Sequence, residues 1–127
     1  MSFSHSILSQ FSRTGETLGQ SLTETGNAEI ARDAAVADSV TDAVMDVDFV
    51  HSDLQSIFLL SDQAVTADFV RASDSAEFVT VVLTASVPYT YQTSGYASNP
   101  FNAAVSKLHI TNASGSTANV QLRVLVN

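Results

Sequence analysis

The sequence predicts an all-β protein: an antiparallel β-sandwich of about eight strands, jelly-roll-like, preceded by an N-terminal arm. Three observations carry this expectation. From Ser56 onward, runs rich in Val, Ile, Phe and Thr succeed one another, and β-branched and aromatic residues suit a pleated, half-buried surface. Clusters such as Ser61-Asp62-Gln63, Ala72-Ser73-Asp74-Ser75 and Asn112 to Thr117 interrupt these runs, at the spacing of roughly 8 to 12 residues typical of sandwiches. The last run, Ala118 to Val126, places Val120, Leu122, Val124 and Val126 at alternate positions, the period of a strand with one buried face.

Composition sets the frame for these elements. A chain of 127 residues fits one domain with one core rather than two. Only 14% of its residues are charged while 45% are hydrophobic. An ordinary soluble domain carries roughly 25% charged residues, so Ser and Thr, at 30 positions, supply much of the polarity. High hydrophobicity with moderate net charge excludes disorder throughout. The balance of 13 acidic to 5 basic residues, net −8, argues against a nucleic-acid partner, whose phosphates are neutralised by Lys and Arg. With no cysteine, disulfides, thiolate metal sites and thiol nucleophiles are excluded.

Residues 1–27 form the N-terminal arm or first strand, and 28–127 the sandwich domain. In the arm, Phe3, Ile7 and Phe11 recur every four residues with Leu8 beside them, one face of a short helix. This segment is either an element packed on the chain's own core or an anchor that docks on a neighbouring subunit. Leu18 and Leu22 are too sparse to decide between the two. The start of the chain lacks a basic region followed by an apolar core, and the run Ile57 to Leu60 is far shorter than the roughly 20 residues of a membrane helix. The expectation is therefore synthesis in the cytoplasm with no membrane partner.

Residues 28–50 fit two periods. Val36, Val40, Val44 and Val47 are spaced as on a helix, whereas Ile30, Arg32, Ala34 and Val36 alternate, as do Asp46 and Asp48 against Met45, Val47 and Phe49. Two strands joined by a short turn at Ala37 to Asp42 agree better with the strand-like runs after Ser56. Pro88 marks an edge or a bend. The stretch Tyr89 to Pro100 holds all three tyrosines, Tyr89, Tyr91 and Tyr96, and reads as an aromatic loop between strand ends. Lys107 to Thr111 and Ala118 to Val126 read as a closing hairpin, with Leu108 and Ile110 facing inward.

Catalytic signals are weak. His5, His51 and His109 lie far apart without a local motif, and no Gly-x-Ser-x-Gly nucleophile elbow occurs. Asp33, Asp38, Asp42, Asp46, Asp48 and Asp53 form a local concentration of carboxylates, but the spacing of a calcium loop is missing. They read as solvent-facing positions of strands. No metal, cofactor or catalytic residue is assigned. Asn112-Ala113-Ser114 matches a glycosylation tripeptide of the kind that arises by chance.

Leu59-Leu60-Ser61-Asp62-Gln63-Ala64-Val65-Thr66, the segment into Asn99-Pro100-Phe101, and the ending Leu108 to Gly115 with Val120 to Val126 together resemble small virion proteins encoded among the head genes of tailed bacteriophages. The resemblance spans about residues 28–127 and departs at the short, charge-poor connection Ser73 to Ala76. It implies a β-sandwich that decorates or cements a capsid: a non-enzymatic protein of the virion, made in the host cytoplasm. Its partners would be the major capsid protein and copies of itself, as a homotrimer. This gives two candidate interfaces, the arm anchor Phe3, Ile7, Leu8 and Phe11, and the aromatic loop Tyr89, Tyr91 and Tyr96. The alternative is a carbohydrate-binding or adhesion module that uses the Tyr89–Tyr96 loop.

Overall fold

Alternation of apolar and polar residues is realised as ten strands in the computed structural model, which describes residues 2–127. They are β1 (Phe3–Arg13), β2 (Glu16–Gly26), β3 (Ala28–Val36), β4 (Val40–Phe49), β5 (Leu54–Ser61), β6 (Val65–Arg71), β7 (Glu77–Leu83), β8 (Tyr89–Gln92), β9 (Val105–Asn112) and β10 (Ala118–Val126). A 3-10 turn, His51–Asp53, links β4 to β5. Strands β3 to β10 make two four-stranded sheets, ordered β3-β10-β5-β8 and β4-β9-β6-β7. Of the successive connections between them, only β6 to β7 stays within one sheet; every other one crosses the sandwich. That is jelly-roll topology, and the expectation of an all-β, jelly-roll-like sandwich holds.

The core lies between the sheets. Met45, Val47 and Phe49 of β4 point into it, as do Val120, Leu122 and Val124 of β10 and Leu108 and Ile110 of β9, while Asp46 and Asp48 stand outside. Phe101 sits edge-on to Phe49 and Phe69, at ring-centroid distances of 5.5 and 4.8 Å, a favourable aromatic geometry. Residues 28–50 form two strands, not a helix: β3 stops at Val36 and the chain turns through Ser39, whose φ is +67°, before β4 begins in the other sheet.

Two expectations are corrected. The closing segments do not pair as a hairpin. β9 pairs with β4 and β6, and β10 with β3 and β5. Leu108 and Ile110 do face Val120, Leu122 and Val124, but from opposite sheets, which pack about 10 Å apart. An inward-facing pattern is satisfied equally by pairing side by side or by facing across a core. The helical face at the N-terminus is also overturned. β1 and β2 form an antiparallel ribbon in unbroken register from Phe3↔Gly26 to Arg13↔Glu16, turning at Gly15, where φ is +80° and glycine alone is unstrained. A spacing of four is also an even number, so it holds Phe3, Ile7 and Phe11 on one face of a strand as well as of a helix.

Candidate interaction surface at the arm

In the β1–β2 ribbon, odd-numbered residues of β1 and even-numbered residues of β2 share a face. That inner face carries Phe3, His5, Ile7 and Phe11 from β1, and Leu18, Leu22, Glu24 and Gly26 from β2. Its base lies on the outer side of the β3-β10-β5-β8 sheet and is fastened there by polar contacts. His5 Nδ1 and Ser56 Oγ are 2.8 Å apart, and His5 Nε2 lies 3.3 Å from a Glu29 carboxylate oxygen. Gln92 Nε2 donates to the Leu22 carbonyl at 2.7 Å. The Glu24 carboxylate, nearly buried, accepts from the Ser94 backbone N–H at 2.9 Å and from the Ser94 hydroxyl. Beneath this base, Leu125 and Ser56 are fully buried although they face away from the sandwich core.

Ser56, His5 and Glu29 have the connectivity of a nucleophile, a base and an orienting acid. Ser56 retains no exposed surface, so the group acts as a clamp that holds the arm down.

The distal half of the ribbon, Leu8 to Ser21, has a different environment. Phe11 and Leu18 are direct cross-strand partners and remain 57% and 56% exposed. Leu8, on the opposite face of β1, is 62% exposed. Between Ser6 and Thr23 the only charges are Arg13 and Glu16, which neutralise each other across the turn at 2.6 Å. Next to this half, on the loop after β8, Tyr96 projects fully into solvent. Arm and loop enclose an open cleft of about 460 Å³ lined by Ser9, Gln20, Leu22, Tyr91, Gln92 and Tyr96.

The structure thus brings parts of both expected interfaces together and divides each of them. Phe3 and Ile7 are half-buried at the base, Phe11 is exposed beyond it, and Leu8 lies on the other face. Of the tyrosines, only Tyr96 belongs to an exposed loop. Tyr89 and Tyr91 lie on β8; burial raises the Tyr89 phenol above its ordinary range, and Tyr91 is buried with its hydroxyl 3.3 Å from Thr93 Oγ1. The reading of all three as one aromatic loop is corrected, because β8 turns two of them toward the sandwich. Leu18 and Gln92 join the surface without having been expected. The turn at Thr14-Gly15 was the signal for Leu18, since folding the chain back there sets it opposite Phe11.

The carboxylates do not converge as a group. Asp33 pairs with Arg123 at 2.8 Å, and Asp38 accepts the Gly115 N–H at 2.8 Å. Among the described residues, Asp42, Glu77 and His109 alone bring three possible ligand atoms within 4.8 Å of one another. They lie on the outer face of the β4-β9-β6-β7 sheet, where Glu77 reaches within 3.3 Å of His109 Nδ1.

No family model matches this chain, and no curated protein matches it. A solved structure described as "Bacillus endospore appendages form a novel family of disulfide-linked pili" contains a chain similar to it, at 13% sequence identity and a TM-score of 0.46, over 97% of this chain and 92% of that one.

Proposed function

We propose that this chain is a structural, non-enzymatic subunit that docks through the distal half of its arm, and, in finer terms, that it decorates or cements a tailed-bacteriophage head by binding the major capsid protein. One observation carries the reading. Phe11 and Leu18 on one face and Leu8 on the other are exposed on a ribbon whose base is clamped to the domain and whose stretch between Ser6 and Thr23 bears no unpaired charge. Apolar side chains grouped on a projecting element mark a surface that another protein covers, and each such side chain contributes roughly 1.5 to 3 kcal/mol when fully buried. The capsid assignment rests on the resemblance over residues 28–127 and agrees with a jelly-roll fold, which recurs in capsid and lectin domains.

The test is a double variant, Phe11→Ser with Leu18→Ser, mixed with purified phage heads and sedimented. The wild-type chain pellets with the heads at high copy, and the variant stays in the supernatant while keeping its native circular dichroism. A variant that pellets like wild type would remove the arm as the anchor, and a wild-type chain absent from purified particles would remove the capsid assignment.

The cleft between Tyr96 and the arm favours a second reading. Its volume and its mix of an exposed aromatic ring with Gln and Ser side chains suit a sugar, since ligand sites commonly occupy about 300 to 1,000 Å³. Glycan-array binding that is lost in Tyr96→Ala would support that reading, and an inert wild-type chain would count against it.

A further inference from the structure

The sandwich has four edge strands, and three of them are blunted. β3 carries Glu29, Arg32 and Asp33, and its Arg32 side chain reaches over to the Asp46 carbonyl of β4 at 2.9 Å. β4 is bulged at two places and carries Asp42, Asp46 and Asp48. β8 is four residues long and abuts the arm, to which Gln92 donates a hydrogen bond. These are the devices by which natural sheets prevent edge-to-edge pairing.

β7 has a single register shift against β6, at Phe78, and none of the other devices. Phe78-Val79-Thr80-Val81-Val82-Leu83 contains no charge and no proline, and the register with β6 is continuous from Val79 to Leu83. Its one charged residue, Glu77, is turned back across the outer face of the sheet toward His109, two strands away. Among the described residues no strand pairs with the other side of β7. Val79 and Val81 are half-exposed at the rim of the core, and Val82 is 77% exposed.

We propose that β7 pairs antiparallel with β7 of a second copy about a two-fold axis at Thr80, joining two four-stranded sheets into one of eight. The occupant is a second copy because the strand is complementary to itself in this arrangement. Val79 of each chain lies opposite Val81 of the other on the core side, and Thr80 lies opposite Thr80 on the outer side. Pairs of β-branched residues and Thr–Thr pairs are stabilising cross-strand combinations. The two Glu77 side chains fall at opposite ends, opposite Leu83 and roughly 20 Å apart at about 3.3 Å per residue, so no like charges meet. An isologous contact of this kind uses up both edges and closes, giving a dimer rather than a filament. It is separate from the arm and does not depend on what the arm binds.

Sedimentation of the full chain over a micromolar concentration range tests this. Wild type sediments as a dimer. Thr80 donates its hydroxyl to the Asp68 carboxylate of β6 at 2.5 Å. Thr80→Glu therefore sets two carboxylates opposite each other with an Asp68 beside each, and weakens the dimer by about tenfold or more, since like charges directly opposite destabilise a pair. Mixing Thr80→Glu with Thr80→Lys, whose ammonium faces the Glu carboxylate, restores a dimer. Phe11→Ser with Leu18→Ser leaves the dimer unchanged. A monomeric wild type, a Thr80→Glu chain as dimeric as wild type, folded Glu and Lys variants that do not associate when mixed, or a dimer lost in the arm variant would each overturn the proposal. Hydrogen exchange on wild type gives a reading that no variant's folding can obscure. The amides of Phe78 to Leu83 that point away from β6, about every second one, gain protection as concentration rises, and equal exchange at low and high concentration would also overturn it.

Discussion

The side-chain amide of Asn112, at the end of β9, donates to the main-chain carbonyl of Val36, at the end of β3 in the opposite sheet, at 2.9 Å. The same amide donates to the Ser116 carbonyl at 2.8 Å, and its oxygen accepts the Ser114 N–H at 3.0 Å. Asn112 is fully buried, so the glycosylation-like tripeptide that begins with it is a structural joint between the sheets. Asn112→Ala removes three hydrogen bonds and strands a buried carbonyl, which costs about 2 to 4 kcal/mol when each unsatisfied buried group costs about 1 to 3. Urea unfolding of the variant measures this, and a loss below about 0.5 kcal/mol, the range of unremarkable surface changes, would contradict it.

Gly26 ends the arm where β2 passes over the end of β10. A Cβ added there would lie 2.4 Å from the Val126 carbonyl oxygen and 3.0 Å from Leu125 Cγ. Main chain cannot yield as a flexible side chain would, so Gly26→Ala is expected to lift the base of the arm and to cost about 1 to 3 kcal/mol, the usual range for overpacking. Limited proteolysis reports the lifting directly: cleavage within residues 2–26 should accelerate in Gly26→Ala while the sandwich stays intact. Unchanged cleavage would show that the contact relaxes without consequence.

The two halves of the arm should respond oppositely to substitution. Phe11 and Leu18 are more than half exposed, so replacing both with Ser should change unfolding free energy by no more than about 0.5 kcal/mol each, as for surface sites. Glu24→Ala, at the base, leaves the Ser94 N–H and hydroxyl without their acceptor and should cost about 1 to 3 kcal/mol. Parallel thermal melts of the two variants separate docking residues from clamping ones, and equal losses in both would refute the division.

Asp62 provides an acid-sensitive joint. Its carboxylate accepts the Asn119 N–H at 2.7 Å and the Asn119 side-chain amide at 2.8 Å, which hold its pKa below the ordinary aspartate value of 3.8. A carboxyl whose pKa is lower in the folded state stabilises the fold above the unfolded value, and that contribution is lost as pH falls through the folded one. Stability should therefore fall on acidification below about pH 4, and Asp62→Asn should flatten that part of the curve. Superimposable wild-type and variant curves would exclude the contribution.

Tyr89 works in the alkaline direction. Burial raises its phenol above the ordinary value of 10.0, so the folded state favours the neutral ring. The associated stability is complete below the unfolded pKa and lost as pH rises through the folded one. Phenolate absorbance should contain a component that titrates above the ordinary tyrosine value, and Tyr89→Phe should remove it.

The sandwich strands were largely legible because each has one face in the core. Asp46 and Asp48 against Met45, Val47 and Phe49, and Val120, Leu122 and Val124 in the last strand, announce both the element and the side that is buried. The arm was legible only as a segment. Phe3, Ile7 and Phe11 share a face under either a helical or an extended reading, and only the turn at Gly15, which sets Leu18 against Phe11, selects the ribbon. Of the aromatic group, nothing local distinguishes Tyr96 in solvent from Tyr91 in the core, because their exposure depends on where β8 ends.

Sequence alone determined that the chain is all β and, for most strands from β3 onward, where they run and which side chains they turn inward, because alternation is a local record of a surface with one wet face. Tertiary structure decided which strands are neighbours. It separated β9 from β10, laid the arm's base over Leu125 and Ser56, placed Tyr96 beside the arm, and left β7 as the open edge. The physical reason is that ladders are built from backbone N–H and C=O groups that every residue type other than proline carries alike. Side-chain pattern therefore reports burial, and the assignment of partners depends on how the whole chain satisfies those groups at once.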